Sequence, residues 1–278
     1  MSRVVRKPFP SCLPFIYIYP TLAHRWLYDV AGILHRDLSP NNIMCRWIDG
    51  VNANGERGKQ VYGVLTDYDL SSWAKDLKED CTRTSQQRTG TPPYMAHELL
   101  TETSPIHLYR HDLESLFYIM LLTCGRNTLL SVVSKTEQPQ RFVMRQTTNL
   151  PYQKWFREHN YDTLGEVKKI FLLDMKAIEL SKPFEVFRPW LKALQYQFSD
   201  GFEAKNRYIK EQDRAQSDGT SVGGVNRFDE ETLGGHIRYS SFIEPVHRLT
   251  GKLEGLVIRY NPPHLPIPAS AGATHSET

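Results

Sequence analysis

Residues 111–122 read His-Asp-Leu-Glu-Ser-Leu-Phe-Tyr-Ile-Met-Leu-Leu, apolar nearly all the way round a helix. A helix lying on a surface shows one apolar stripe, whereas one that is apolar on most faces must be enclosed by other elements. This segment therefore predicts a helix buried on most faces. With 278 residues the chain has ample room for a core, as one large domain or two small ones. Asp112, at the start of the helix, can accept N–H bonds from the helix N-terminus or from a neighbouring loop.

The chemistry-bearing stretch is His35-Arg36-Asp37-Leu38-Ser39-Pro40-Asn41-Asn42. Pro40 stiffens this loop. A carboxylate at Asp37 can accept a hydroxyl proton, and Asn42, five residues on, offers an amide oxygen as a metal ligand. Before the loop, Leu22, Trp26, Val30 and Leu34 recur at four-residue spacing with Leu27 beside them, which predicts a helix over 21–34. After it, Ile43–Ile48 and Val61–Leu65 read as two strands of a hairpin, with Asn54-Gly55 as a turn dipeptide in the polar connection. The second strand runs into Thr66-Asp67-Tyr68-Asp69. A lone Asp-x-Asp is ordinarily a solvated turn, but one hairpin after Asp37 and Asn42 it becomes a candidate metal site.

Residues 71–90 are polar, and Thr82, Thr84, Ser85 and Thr89 are candidate phosphorylation sites that could pair with Arg36 or Arg83. The segment Gly90-Thr91-Pro92-Pro93-Tyr94-Met95-Ala96-His97-Glu98 follows. A Glu98 buried in this segment would need a cationic partner, which the sequence does not identify. His107 and His111 stand four apart, but no third ligand follows at a useful spacing, so a metal site there is not expected. Residues 125–150 read as loop. Helices are expected at 150–155 and 164–175. A further one carries the stripe Phe184, Phe187, Leu191, Leu194 and Phe198, with Pro189 near its start. Residues 216–225 read as a Ser/Gly-rich link, and the tail from Pro262 as disordered.

Lys+Arg is 34 and Asp+Glu 31, a net charge of +3 spread along the chain, so no nucleic-acid partner is expected. No apolar run reaches membrane-spanning length. Prolines 8, 10, 14 and 20 interrupt a would-be signal peptide. The four cysteines form no Cys-x-x-Cys or zinc spacing and suit a reducing compartment. An intracellular protein, cytoplasmic or nuclear, is expected.

In order, HRDLSPNN, TDYDLS, GTPPYMAHE and HDLESLFYIMLL resemble the protein kinases, and their particular forms look most like the fungal-type protein kinase family. The resemblance implies a mainly α fold with a small β-hairpin, the kinase C-terminal lobe. Its bounds would be 21–260, with the catalytic loop at 35–42 and the activation segment at 67–98. Residues 1–20 would be a remnant N-terminal segment and 261–278 a disordered tail. It implies transfer of the ATP γ-phosphate to a protein Ser/Thr hydroxyl, with ATP and Mg²⁺ as cofactors and a protein substrate or partner. Asp37 would accept the proton, Asn42 and Asp67 would ligate Mg²⁺, Met44 would floor the adenine, and Thr91 would steady Asp37. Tyr68 would fill the apolar slot beside Asp67.

The departures from the family pattern are Ser39, where Ser/Thr kinases carry Lys, and Asp69, where they carry Gly. Ahead of the catalytic loop there is no Gly-x-Gly-x-x-Gly, no Val-Ala-Ile-Lys and no following Glu helix. The N-terminal lobe is therefore expected to be missing from this chain, leaving little or no activity alone. Two other readings stand beside this one. The chain could be a pseudokinase-like binding module that presents a helical lobe to a partner; in either case exposed apolar surface is expected where the other lobe would dock, near Met44 and Ile16. It could instead be a small-molecule phosphotransferase, against which the GTPPYMAHE segment speaks.

Overall fold

The computed structural model describes residues 4–5, 13–51, 57–79, 90–101, 106–132, 141–147, 151–217 and 227–250. It is mostly helical, with three small antiparallel sheets. Helix α1 (Leu13–Ala31) starts earlier than the apolar spacing predicts and runs through Pro20. Its buried face also differs. Trp26 and Val30 are 46% and 49% exposed, while Tyr17, Ile18, Thr21 and His24 are buried. The polar pair can face inward because each is satisfied there: the Thr21 hydroxyl donates to the Tyr17 carbonyl at 2.7 Å, and His24 bonds Asp112 and Tyr239. Gly32, at φ +68°, ends the helix by donating its N–H to the Tyr28 carbonyl at 3.1 Å. It caps α1.

Strand β1 (Val4–Val5) lies beside β3 (Ile43–Val51), which forms a hairpin with β4 (Arg57–Leu65) in register from Ile43–Leu65 to Val51–Arg57. Each hairpin strand is nine residues long, beyond the short strands expected. Asn54-Gly55 lies outside the described residues. Strand β2 (Ile33–Leu34) enters the 35–42 loop and pairs with β5 (Ser72–Trp73), after which comes α2 (Ala74–Glu79). Helix α3 (His97–Thr101) precedes α4 (Tyr109–Arg126), the apolar helix. Every residue of α4 but Thr123 is buried. At about 1.5–3 kcal/mol for each large apolar side chain buried, α4 is the chief hydrophobic anchor of the fold.

Residues 125–150 are not simply loop: β6 (Asn127–Val132) and β7 (Arg141–Gln146) make a third sheet. The single hairpin expected from the sequence is thus one of three two- or three-stranded sheets. Strands of six residues flanked by polar segments carry too little periodicity to stand out. Helices α5 (Gln153–Arg157) and α6 (Tyr161–Leu173) follow, close to expectation. The Phe184–Phe198 stripe is split between a 3-10 turn (Lys182–Phe187) and the 30-residue α7 (Arg188–Ser217). Pro189 sits at the second position of α7, where its missing N–H costs nothing. Helix α8 (Tyr239–Thr250) packs against α1 and α7. Residues 218–226 and 251–278 lie outside the described residues, as does the side chain of Ile16. Among the described residues no helix is long and apolar enough to cross a membrane.

Candidate active site

The 35–42 bend is closed by the Asn42 N–H donating to the Ser39 carbonyl at 3.0 Å, which leaves Pro40 and Asn41 as the central turn residues. The Asn42 side chain ties the bend to its own Asp. Its Nδ2 donates to the Asp37 carbonyl at 2.8 Å and lies 3.4 Å from Asp37 Oδ2. Both partners only accept, so the amide nitrogen must face them, and Asn42 Oδ1 points the other way. From the far side, the Thr91 hydroxyl reaches Asp37 Oδ1 at 3.3 Å. Asp37 therefore has one carboxylate oxygen beside Asn42 and the other beside Thr91.

Asp67 enters from the end of β4. The Thr66 N–H donates to the Asn42 carbonyl at 2.9 Å, and the Thr66 hydroxyl to the same oxygen at 3.2 Å. Asp67 thus begins one peptide beyond a bond to the bend. It takes φ +66°, a left-handed conformation that Asp tolerates better than most residues, and its side chain is exposed. Next to it, Tyr68 is 40% exposed rather than slotted into the core. Its ring packs 5.1 Å from that of His35 and its hydroxyl donates to the Leu65 carbonyl at 3.1 Å. His35 in turn bridges the Thr66 carbonyl (3.0 Å, Nε2) and the Asp37 N–H (3.4 Å, Nδ1). Met44, half-buried on β3 opposite Val64, lies two residues past Asn42. Ser39, which stands where the family carries Lys, is buried.

The bend rests on Asp112. Its Oδ2 accepts the backbone N–H groups of His35 (3.1 Å) and Arg36 (3.3 Å), so the loop, not the helix terminus, uses this carboxylate. Two histidines bond the same carboxylate, His24 at 2.6 Å and His107 at 2.8 Å. Burial alone would raise the Asp112 pKa. The charge and hydrogen bond of His107, with those of His24, instead hold it well below the usual carboxylate range. Arg36 adopts φ +71° and donates from Nη1 to the Ser72 hydroxyl at 2.6 Å. The expected phosphoacceptors Thr82, Thr84, Ser85 and Thr89, and Arg83, lie outside the described residues.

The Gly90–Glu98 segment packs onto this loop. Gly90 has φ +122°, and a Cβ there would meet Met95 Cγ at 2.9 Å and the Arg36 carbonyl at 3.4 Å. Glu98 finds its cation in Arg110, twelve residues on, with Lys205 of α7 on Oε1 at 2.8 Å and His111 on Oε2 at 3.2 Å. Burial again opposes the charge on Glu98, but the His111 hydrogen bond and the Arg110 and Lys205 charges hold its pKa far below normal. His107 and His111 are thus each committed to a carboxylate, not to a shared ion.

Asn42 Oδ1 and the Asp67 carboxylate are hard oxygen donors, and no hydrogen bond to either is found among the described residues. Mg²⁺ suits such a site, because it keeps several waters and takes only one or two carboxylates plus substrate phosphates. No cluster of three or more His, Cys, Asp or Glu that could hold an ion occurs among the described residues.

An Asp on a braced bend, an Asn on the same bend, a second Asp one peptide beyond a bond to it, and a Thr reaching in from a packed segment resemble the protein kinase class. Residues 21–124 match the model of the family described as fungal protein kinase. The chain is also 25% identical over 180 residues to serine/threonine-protein kinase CHK1 of Saccharomyces cerevisiae, covering 64% of this chain and 31% of that protein. It is 34% identical over 130 residues to MAP kinase-interacting serine/threonine-protein kinase 1 of Xenopus laevis, covering 43% of this chain and 26% of that protein. The chain therefore spans about a third or less of the curated relatives it matches.

Sequence reasoning did not find His24, Arg110 or Lys168, all buried and all bonded into the site's support. The one signal for Arg110 and His24 was a polar residue beside or within an apolar helix, which alone does not name a partner.

Proposed function

We propose that this chain transfers the γ-phosphate of ATP to a Ser/Thr hydroxyl of a protein. Asp37 accepts the hydroxyl proton as the oxygen attacks phosphorus, and Thr91 and Asn42 hold its carboxylate in place. Asn42 Oδ1 and Asp67 would hold Mg²⁺, whose charge offsets that on the phosphate oxygens. Met44 lies where the adenine would rest, and residues 21–260 act as the lobe that carries the catalytic loop. The observation that carries this reading is the two-sided bracing of Asp37, by Asn42 across the bend and by Thr91 at 3.3 Å.

Transfer by this chain alone is slow. Each preorganised electrostatic group withheld from a site lowers the rate by about 10²–10³, and the sequence contains no Gly-x-Gly-x-x-Gly loop or Val-Ala-Ile-Lys strand. The test combines MgATP binding with radiolabel transfer to a Ser/Thr protein, using the full chain, Asp37→Ala and Asp67→Ala. The reading expects MgATP binding that Asp67→Ala weakens, and slow transfer that Asp37→Ala abolishes. Nucleotide binding with no Asp37-dependent transfer would favour a binding module instead, and neither binding nor transfer would overturn the reading.

A further inference from the structure

Lys168 of α6 has 0% of its surface exposed. Its Nζ donates to the Pro92 carbonyl at 3.2 Å and to the Met95 carbonyl, and it sits 4.3 Å from the Tyr118 ring centre and 5.3 Å from that of Trp155. Both carbonyls belong to one turn. Within it the Thr91 carbonyl accepts N–H bonds from Tyr94 (2.9 Å) and Met95 (3.2 Å). The same Thr91 presents its hydroxyl to Asp37.

Resting on the phosphotransfer reading above, we propose that Lys168 is a positioning residue, clamping the Thr91–Met95 turn from beneath and thereby setting Thr91 against Asp37 and the acceptor chain's platform in register. The energetics point away from a purely stabilising role. A fully buried cation loses its hydration, and a buried ion pair can often be replaced whole by apolar side chains at no loss of stability. Burial drags the lysine pKa down to about 7, against the pull of the Glu114 carboxylate. That carboxylate has one oxygen, Oε2, with no hydrogen bond among the described residues, and spends the other on the backbone and ring of His97 and on the Tyr118 hydroxyl. What the lysine provides that an apolar residue does not is a pair of donors aimed at two carbonyls of a single turn.

The experiment compares the full chain with Lys168→Met, which keeps the length and removes the donors. Lys168→Leu, which likewise lacks a donor, serves the same comparison should the methionine variant fail to fold. Expected are a Tm lowered by the loss of the donor to two carbonyls, MgATP affinity within about twofold, and a fall of about tenfold or more in kcat/KM for the protein acceptor. Transfer within twofold of the parent, or a fall matched by an equal loss of MgATP affinity, would overturn the proposal. If the parent chain itself transfers no phosphate, the functional reading has failed and the clamp is judged by hydrogen exchange. The Tyr94 and Met95 amides should then exchange about tenfold faster or more in the variant while α4 keeps its protection. Equal protection at Tyr94 and Met95 would sink the clamp as well.

Discussion

Asp112 Oδ2 takes the His35 backbone N–H at 3.1 Å across 77 residues of sequence, so the most buried helix of the fold directly holds the loop that carries Asp37. Four donors converge on this carboxylate: the His35 and Arg36 N–H groups, His24 and His107. Asp112→Asn would turn an NH2 group toward some of these donors and leave them without an acceptor. We expect a loss of about 3–5 kcal/mol, read from urea unfolding, since breaking a buried charge from its partners costs about that much. A loss below about 1 kcal/mol would mean that the carboxylate is dispensable to the loop.

Thr91→Val keeps the shape of the side chain and removes its hydroxyl from Asp37. A hydrogen bond to a charged group contributes about 1.5–3 kcal/mol. Asp37-dependent transfer should therefore fall about 10- to 100-fold, with little change in Tm because Thr91 is only half-buried. Steady-state kinetics with a Ser/Thr acceptor measures it, and an unaltered kcat would remove Thr91 from the site.

What could be read from the sequence was local. Asp37 and Asn42 lie five residues apart on one bend, and Asp67 and Thr91 each sit in a short run with its own pattern, so neighbours alone marked them. Helix α4 was legible because nearly every position is apolar. The phase of α1 was not, because hydrophobicity counts Thr21 and His24 as outward-facing, whereas partners on α4 and α8 let His24 turn inward. Arg110 and Lys168 escaped for the same reason: a buried cation is recognised by what it meets, and Lys168 meets carbonyls 73 and 76 residues away. The β6–β7 hairpin gave no tight-turn dipeptide to announce it.

His111 should make stability depend on pH. Its Nδ1 accepts the Leu108 N–H at 3.1 Å, so its single proton sits on Nε2, facing Glu98 at 3.2 Å. A second proton would collide with the Leu108 donor. Burial, with the neighbouring Arg110 charge, lowers the His111 pKa to about 4, against about 6.5 in an unfolded chain. Because the folded value is the depressed one, the unfolded state binds the proton first as pH falls. The contribution of His111 is intact above about pH 6.5 and lost between there and about pH 4, at up to about 1.4 kcal/mol per pH unit. Urea unfolding of the parent and of His111→Gln at pH 7 and pH 4.5 checks this, and the parent should lose more stability between the two. Parallel losses would place the imidazole outside the titration.

Gly90→Ala tests whether the Gly90–Glu98 segment and the 35–42 bend act as one unit. At φ +122° a Cβ is strained, and its nearest neighbours are Met95 Cγ at 2.9 Å and the Arg36 carbonyl at 3.4 Å. Strain of about 1–3 kcal/mol would thus be applied between the turn that carries Thr91 and the residue before Asp37. Gly234→Ala is the matched control, because φ there is +66° and its Cβ would meet the Phe228 ring at 3.1 Å, in the segment leading to α8. Both variants should lose stability by similar amounts in thermal unfolding. Only Gly90→Ala should also reduce Asp37-dependent transfer, about tenfold or more, since a small misplacement of reacting groups costs rate out of proportion to stability. Equal effects of the two substitutions on transfer would mean that the segment contributes nothing to catalysis beyond folding.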